Sequence, residues 1–218
     1  MNLFTEKKAG RFFSAWSGQI FLLTLLFCTF VISFYTIIKF IPFLFSRFTY
    51  PADLEWMEGG VMTHIIEIGA GNSLYREPSV DFIPFAYTPF YYYVSYAVSL
   101  GFKLSYQIPR AISLISIVGT GAIISVIIVR VLKPLRFAIP LGIFGGIVAI
   151  FLILLDFFFT GAFLDLARVD AFFLFLLFAG LAVLIEGKSL KSTVFSGLLL
   201  ACAFWTKQTA FFFIITAG

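Results

Sequence analysis

Residues Asp53–Tyr93 read DLEWMEGGVMTHIIEIGAGNSLYREPSVDFIPFAYTPFYYY, the one long polar interval in an otherwise apolar chain. Six of the eleven acidic residues fall inside it (Asp53, Glu55, Glu58, Glu67, Glu77 and Asp81), together with the single histidine, His64. Outward in both directions the sequence turns oily: of 218 residues, 61% are hydrophobic, 12% are charged and 31 are phenylalanine. A soluble domain of this size would have more apolar surface than it could bury. The composition therefore implies an all-α integral membrane protein, a polytopic bundle of about five or six transmembrane helices. Residues 1–218 read as one transmembrane module, with 46–109 as an extracytoplasmic loop carrying juxtamembrane helices.

The two cysteines, Cys28 and Cys202, lie inside apolar runs and say nothing about redox compartment. The net charge of +4 comes from short basic clusters beside apolar spans. These are topology signals, and no nucleic-acid partner is expected.

Upstream of the polar interval, Lys7, Lys8 and Arg11 precede the uncharged run Ile20–Ile38, which crosses about 28 Å as a helix. That run is too long for a signal peptide, and KFIPFLFSRFTYPAD offers no small-residue cleavage site. An uncleaved first helix starting in the cytoplasm is expected, in a multi-pass protein of the cell membrane.

Within the interval, Leu54, Met57, Val61, Ile65 and Ile68 draw one apolar stripe, the pattern of a short amphipathic helix on the membrane surface. Glu55, Glu58 and Glu67 lie off the stripe, Asp53 stands at the N-cap position, and Gly69 and Gly71 stop the helix. The uncharged stretch Phe82–Phe102 has the length of a span, but Pro84 and Pro89 break its first third and five tyrosines give it interfacial chemistry.

Charge placement decides whether that stretch crosses. Further spans run over Ala111–Val129, Phe137–Leu155, Ala171–Ile185 and Thr193–Thr206. With Phe82–Phe102 lying flat, Arg130, Lys133, Arg136, Lys188 and Lys191 share the cytoplasmic side with the basic N-terminus. Gly71, Ser105 and Leu164 are then external, and Pro134 and Ser189 cytoplasmic. The same arrangement puts the second polar island, FLDLARVDAFF at 163–173, on the face of Asp53, and brings Lys207 toward that boundary. An Arg168–Asp165 pair that merely ends two helices also fits this island.

The ordered elements resemble the N-terminal part of the GT-C class of polyprenyl-phosphate-sugar-dependent glycosyltransferases, nearest to the protein O-mannosyltransferase and aminoarabinose-transferase branch. The likeness lies in Asp53 with Glu58 and Gly59, then Gly71, Leu74 and Tyr75, then Tyr87, Pro89, Tyr91 and Tyr92. Arg110 at the second helix, Ala167, Arg168 and Asp170, and loosely Gly197 through Thr206 and Lys207 complete it. Those families continue with further transmembrane helices, so this chain is expected to be the N-terminal module of a longer enzyme, inactive alone.

The resemblance implies sugar transfer from a polyprenyl-phosphate-linked donor to a glycan, lipid or protein acceptor on the extracytoplasmic face. Such chemistry needs a base for the acceptor hydroxyl and cations for the departing phosphate. Asp53 is the implied base, with Asp170 and Glu58 as further catalytic acids. Arg168, Lys207 and Arg76 are the implied phosphate ligands, with Tyr87 and Tyr91 lining the substrate groove. No cofactor is fixed, and a divalent metal is left open.

Plainer roles stand beside each assignment: an N-cap for Asp53, a solvated helix face for Glu58, packing for His64, and an interfacial belt for the tyrosines. A lipid or solute transporter component and a non-catalytic assembly subunit are the rival functions. A transporter should place charges near the bilayer midplane, where the spans here are clean.

Overall fold

The computed structural model describes residues 3–217 apart from 158, 160, 162 and 188, with side chains described from Gln19 onward except at Glu186 and Ala217. Every regular element among them is helical: α1 Leu3–Thr49, α2 Trp56–Gly69, α3 Phe90–Ser99, α4 Gln107–Val131, α5 Ala138–Asp156, α6 Val169–Glu186, α7 Leu190–Thr206 and α8 Ala210–Ala217. The segments Gln19–Thr49, Gln107–Val131 and Ala138–Asp156 are long and apolar enough to cross a membrane, and α6 and α7 are shorter apolar helices. This is a multi-pass membrane helix bundle.

Two helical hairpins form its frame. The α4–α5 pair closes along a glycine seam, where a Cβ on Gly146 would lie 2.6 Å from the Gly121 carbonyl and one on Gly142 would lie 2.8 Å from the Ser125 carbonyl. Without a hydrophobic drive between helices in lipid, such close backbone contact is what holds them. The α6–α7 pair is pinned by Ser196 Oγ, which donates to the Gly180 carbonyl at 2.8 Å. α1 packs on α5 and turns a row of phenylalanines outward, Phe21, Phe27 and Phe45 among them.

The hairpins sort the charges by end. At one end the last turn of α1 pairs with the α5–α6 connection through Arg47–Asp165, the start of α4 with α2 through Arg110–Glu58, and the C-cap of α7 with the start of α6 through Lys207–Asp170. Arg130, Lys133, Arg136 and Lys191 lie at the other end, in or beside the hairpin turns. Lys188 and the side chains of Lys7, Lys8 and Arg11 lie outside the described residues.

α2 and α3 cover the first of these ends. α3 has 10 residues, about 15 Å of helix against about 30 Å of hydrocarbon, so Phe82–Phe102 forms a loop and a short helix. α2 stops where expected, with Gly71 at φ 76° just beyond it. A left-handed residue there favours glycine. The first helix runs past Ile38 to Thr49, with Pro42 inside it.

Two features of α2 differ from the sequence expectation. Its N-cap is Glu55, not Asp53, because residues 50–54 are drawn aside: Arg110 holds the Tyr50 and Ala52 carbonyls and Glu58 takes the Leu54 N–H. Its buried side chains are Glu58, Val61, Met62, His64 and Ile65, so only Val61 and Ile65 of the apolar stripe are inside. The helix turns two polar groups inward because the fold supplies each with partners that the sequence does not display.

Candidate functional site

The polar end is built from three ionic groups. At its centre the Arg110 guanidinium meets Glu58 side by side, Nε to Oε1 at 2.7 Å and Nη2 to Oε2 at 2.6 Å, both side chains 0% exposed. Arg110 also donates to the carbonyls of Arg47 (2.9 Å), Tyr50 (2.5 Å) and Ala52 (2.7 Å). Of these, only the Arg47 carbonyl belongs to the last turn of α1, and those of Tyr50 and Ala52 lie just beyond it. Glu58 further accepts from the Leu54 and Ala167 N–H groups, each at 2.9 Å. A carboxylate has about four acceptor positions, and here all are occupied. The solvated-face role for Glu58 is thereby overturned.

Beside this pair, Arg47 bonds Asp165 through Nε at 2.7 Å and Nη2 at 3.1 Å. Asp165 thus ties α1 to the α5–α6 connection, and the Arg168–Asp165 pair suggested by spacing is replaced.

The third group holds three of the eight expected site residues, Arg168, Asp170 and Lys207. Arg168 reaches Asp170 at 3.2 Å and Glu55 at 3.3 Å, and its guanidinium lies 4.0 Å above the Phe163 ring. Lys207, the C-cap of α7, bonds the other oxygen of Asp170 at 2.6 Å. Two cations from distant parts of the chain therefore share one carboxylate at the start of α6. The end of α7 is moored nearby, since Thr88 Oγ1 donates to the Phe204 carbonyl at 2.9 Å and the Gln208 amide to the Ala86 carbonyl.

Asp53 is exposed, and among the described residues its carboxylate has no hydrogen-bond or ion-pair partner. Its Oδ2 lies over Gly59, 3.3 Å from where a Cβ would stand. Tyr106 is near enough that the Asp53 and Glu58 charges, after burial as the main cause, push its phenol above the ordinary value. Two residues along the chain, Glu55 makes the link to Arg168. Asp53, Arg168, Asp170 and Lys207 are thus brought to one end.

Arg76, Tyr87 and Tyr91 stand apart in different ways. Arg76 pairs with Glu67 at 2.8 Å and stacks 4.4 Å over Phe82, so its described contacts are with α2 and its loop. The Arg76 and Asn72 hydrogen bonds hold the Glu67 carboxyl below its usual range. Tyr91 is fully buried, donating to the Pro109 carbonyl at 2.9 Å and lying 3.2 Å from Ser113 Oγ; burial raises its pKa. Tyr87 is half-buried against the core, and its carbonyl accepts from Tyr75 at 2.7 Å. The Tyr92 hydroxyl is buried without a partner among the described residues.

His64 is a fastening. Its Nδ1–H donates to the Gly60 carbonyl at 2.7 Å and its Nε2 accepts the Phe85 N–H at 3.0 Å, with Phe82, Phe85 and Tyr92 rings around it. Phe85 crosses Gly60 so closely that a Cβ there would collide with its ring. Among the described residues no three His, Cys, Asp or Glu side chains gather to hold a metal ion.

Sequence reasoning did not assign Arg47, Asp165, Glu55 or Tyr106 to the site. Arg47, Glu55 and Tyr106 sit at helix ends and Asp165 in the α5–α6 connection, positions that sequence alone assigns to solvent or headgroups. Compared with protein families, curated proteins and solved structures, the chain matches none.

Proposed function

We propose that the chain is part of a membrane glycosyltransferase that moves a sugar from a polyprenyl-phosphate donor to an acceptor hydroxyl at the polar end of the bundle. The observation that supports this most is the contrast at that end between an unpaired, exposed Asp53 carboxylate and the shared Arg168–Asp170–Lys207 group.

In this reading Asp53 takes the proton of the acceptor hydroxyl as its oxygen bonds the anomeric carbon. The bond from that carbon to the phosphate oxygen breaks, and the polyprenyl phosphate leaves with the bonding pair. Arg168 and Lys207 stabilise the charge that develops on it, releasing part of their hold on Asp170. The polar end is extracytoplasmic in this reading, which leaves Arg130, Lys133, Arg136 and Lys191 on the cytoplasmic side. The order of elements shared with the GT-C pattern supports the same assignment.

The test uses membrane vesicles containing the natural protein, with polyprenyl-phosphate mannose or polyprenyl-phosphate aminoarabinose radiolabelled in the sugar. Transfer to endogenous acceptors is expected, and Asp53→Asn should lower it about 100- to 10,000-fold. Since Asp53 is not the cap of α2, this variant should unfold like the parent. Near-normal transfer by Asp53→Asn would remove the base, and no transfer from either donor would remove the proposal for these sugars.

A non-catalytic assembly subunit is the second reading. It is favoured by the pairing already present within the Glu55–Arg168–Asp170–Lys207 group, and it expects Asp53→Ala and Asp170→Ala to be silent.

A further inference from the structure

We infer that Glu58, Gly59 and Arg110 are a positioning device for Asp53, setting its carboxylate in place and spacing it from the Arg168–Asp170–Lys207 group; this rests on the transferase reading above. The peptide groups on either side of Asp53 are bound to the two halves of one ion pair. Arg110 Nη2 takes the Ala52 carbonyl at 2.7 Å, and Glu58 Oε2 takes the Leu54 N–H at 2.9 Å. The pair is closed from water on both sides, at 0% exposure. With no solvent to compete for either partner, and with each ion's loss of hydration offset by the other, the main chain at position 53 has one arrangement.

The same carboxylate reaches the other half of the site. Glu58 Oε1 accepts the Ala167 N–H at 2.9 Å, so the residue just before Arg168 is held by the group that holds Leu54. One side chain therefore spans from the base to the cations.

Gly59 completes the device. The three nearest neighbours of a Cβ built there all belong to Asp53, at 3.3, 3.8 and 3.9 Å. Glycine is a poor residue within a helix, and α2 accepts one at the place where the Asp53 carboxylate needs the room. With its acceptor positions filled, Glu58 is unsuited to take a proton itself. It works through Asp53, as do Gly59 and Arg110.

Gly59→Ala separates positioning from folding, because the added methyl meets Asp53 first while alanine favours the helix. In the vesicle assay, Gly59→Ala and Glu58→Gln are expected to lower kcat about 10- to 100-fold, with the KM for the lipid donor unchanged in Gly59→Ala, whose added methyl meets Asp53 alone. Gly59→Ala should unfold at or above the temperature of the parent. Parental kcat in both variants, with Asp53→Asn inactive, would overturn the positioning role and leave the base standing. An active Asp53→Asn would instead overturn the base. A second measurement is independent of turnover: a nitroxide attached at Asp53→Cys should be immobile in the parent and mobile when Glu58→Gln is added. An unchanged spectrum would overturn the clamp even if neither donor is used.

Discussion

The Arg110–Glu58 and Arg168–Asp170–Lys207 groups stand on either side of Ala167 and use the same chemistry, yet they differ in water and in saturation. The first is 0% exposed and accepts nothing further. In the second, Arg168 is 11% and Lys207 25% exposed, and the Arg168 bonds are longer, at 3.2 and 3.3 Å. A dry ion pair with every lone pair engaged can only hold its neighbours, because losing one partner leaves a buried charge uncompensated. A partly wet group, in which two cations share one acid, can trade a carboxylate contact for a phosphate at small cost.

The largest expected effect concerns sidedness, which both groups must share. Cysteines placed at Leu164 and Pro134, in a background lacking Cys28 and Cys202, should respond oppositely to an impermeant thiol reagent on intact cells. Labelling is expected at Leu164 alone. Labelling at Pro134 alone would put both ionic groups in the cytoplasm and end the extracytoplasmic reading.

Next is the closed pair. Arg110→Ala strands Glu58 and frees three main-chain carbonyls, so it should cost about 3–5 kcal/mol, seen as a lowered unfolding temperature in detergent. If Arg110→Ala unfolded like the parent, the distinction between a holding pair and an exchanging group would collapse.

Lys207→Ala probes the open group. Asp170 is buried and Lys207 only partly exposed, but Arg168 still holds the acid, so the loss should be smaller than for Arg110→Ala, about 1–3 kcal/mol. Transfer should nonetheless fall, chiefly through a higher KM for the lipid donor, if this lysine meets the phosphate. A large stability loss without a kinetic change would make the open group another fastening.

The smallest effect is a pH dependence at His64. Burial, opposed by the Gly60 hydrogen bond and the Glu67 charge, lowers its pKa from the ordinary 6.5. A depressed histidine favours the neutral ring in the folded chain, so its contribution is complete above about pH 6.5 and is lost as pH falls toward the folded value. Protonation also removes the Nε2 acceptor of the Phe85 N–H. The protection factor of the Phe85 amide, its exchange rate corrected for the intrinsic pH dependence, should therefore fall between pH 7.5 and 5.5, and His64→Gln should abolish that difference.

Much of the frame was legible because it depends on composition along the chain. The spans from Ala111 to Thr206 reappear as α4 to α7 within a few residues at each end. The prolines at 84 and 89 marked Phe82–Phe102 as a broken segment, and only Phe90–Ser99 of it is helical. The site was legible only in part. Asp170, Arg168 and Lys207 came together as their positions at helix ends required, whereas Asp165 chose Arg47, 118 residues away, over its neighbour Arg168. Local spacing says which charges can meet and is silent on a better partner brought in by packing.

By itself the sequence determined that this chain lives in a bilayer, which segments are apolar helices, and where along the chain the acids cluster, because hydropathy and charge act residue by residue. Only the tertiary structure decided which acid is buried and which is free. Glu58 and Asp53 lie five residues apart, and both fall outside the apolar stripe of the sequence. Arg110, arriving from α4, turns one of them into a fully bonded brace and leaves the other open, a difference made by the long-range supply of hydrogen-bond donors.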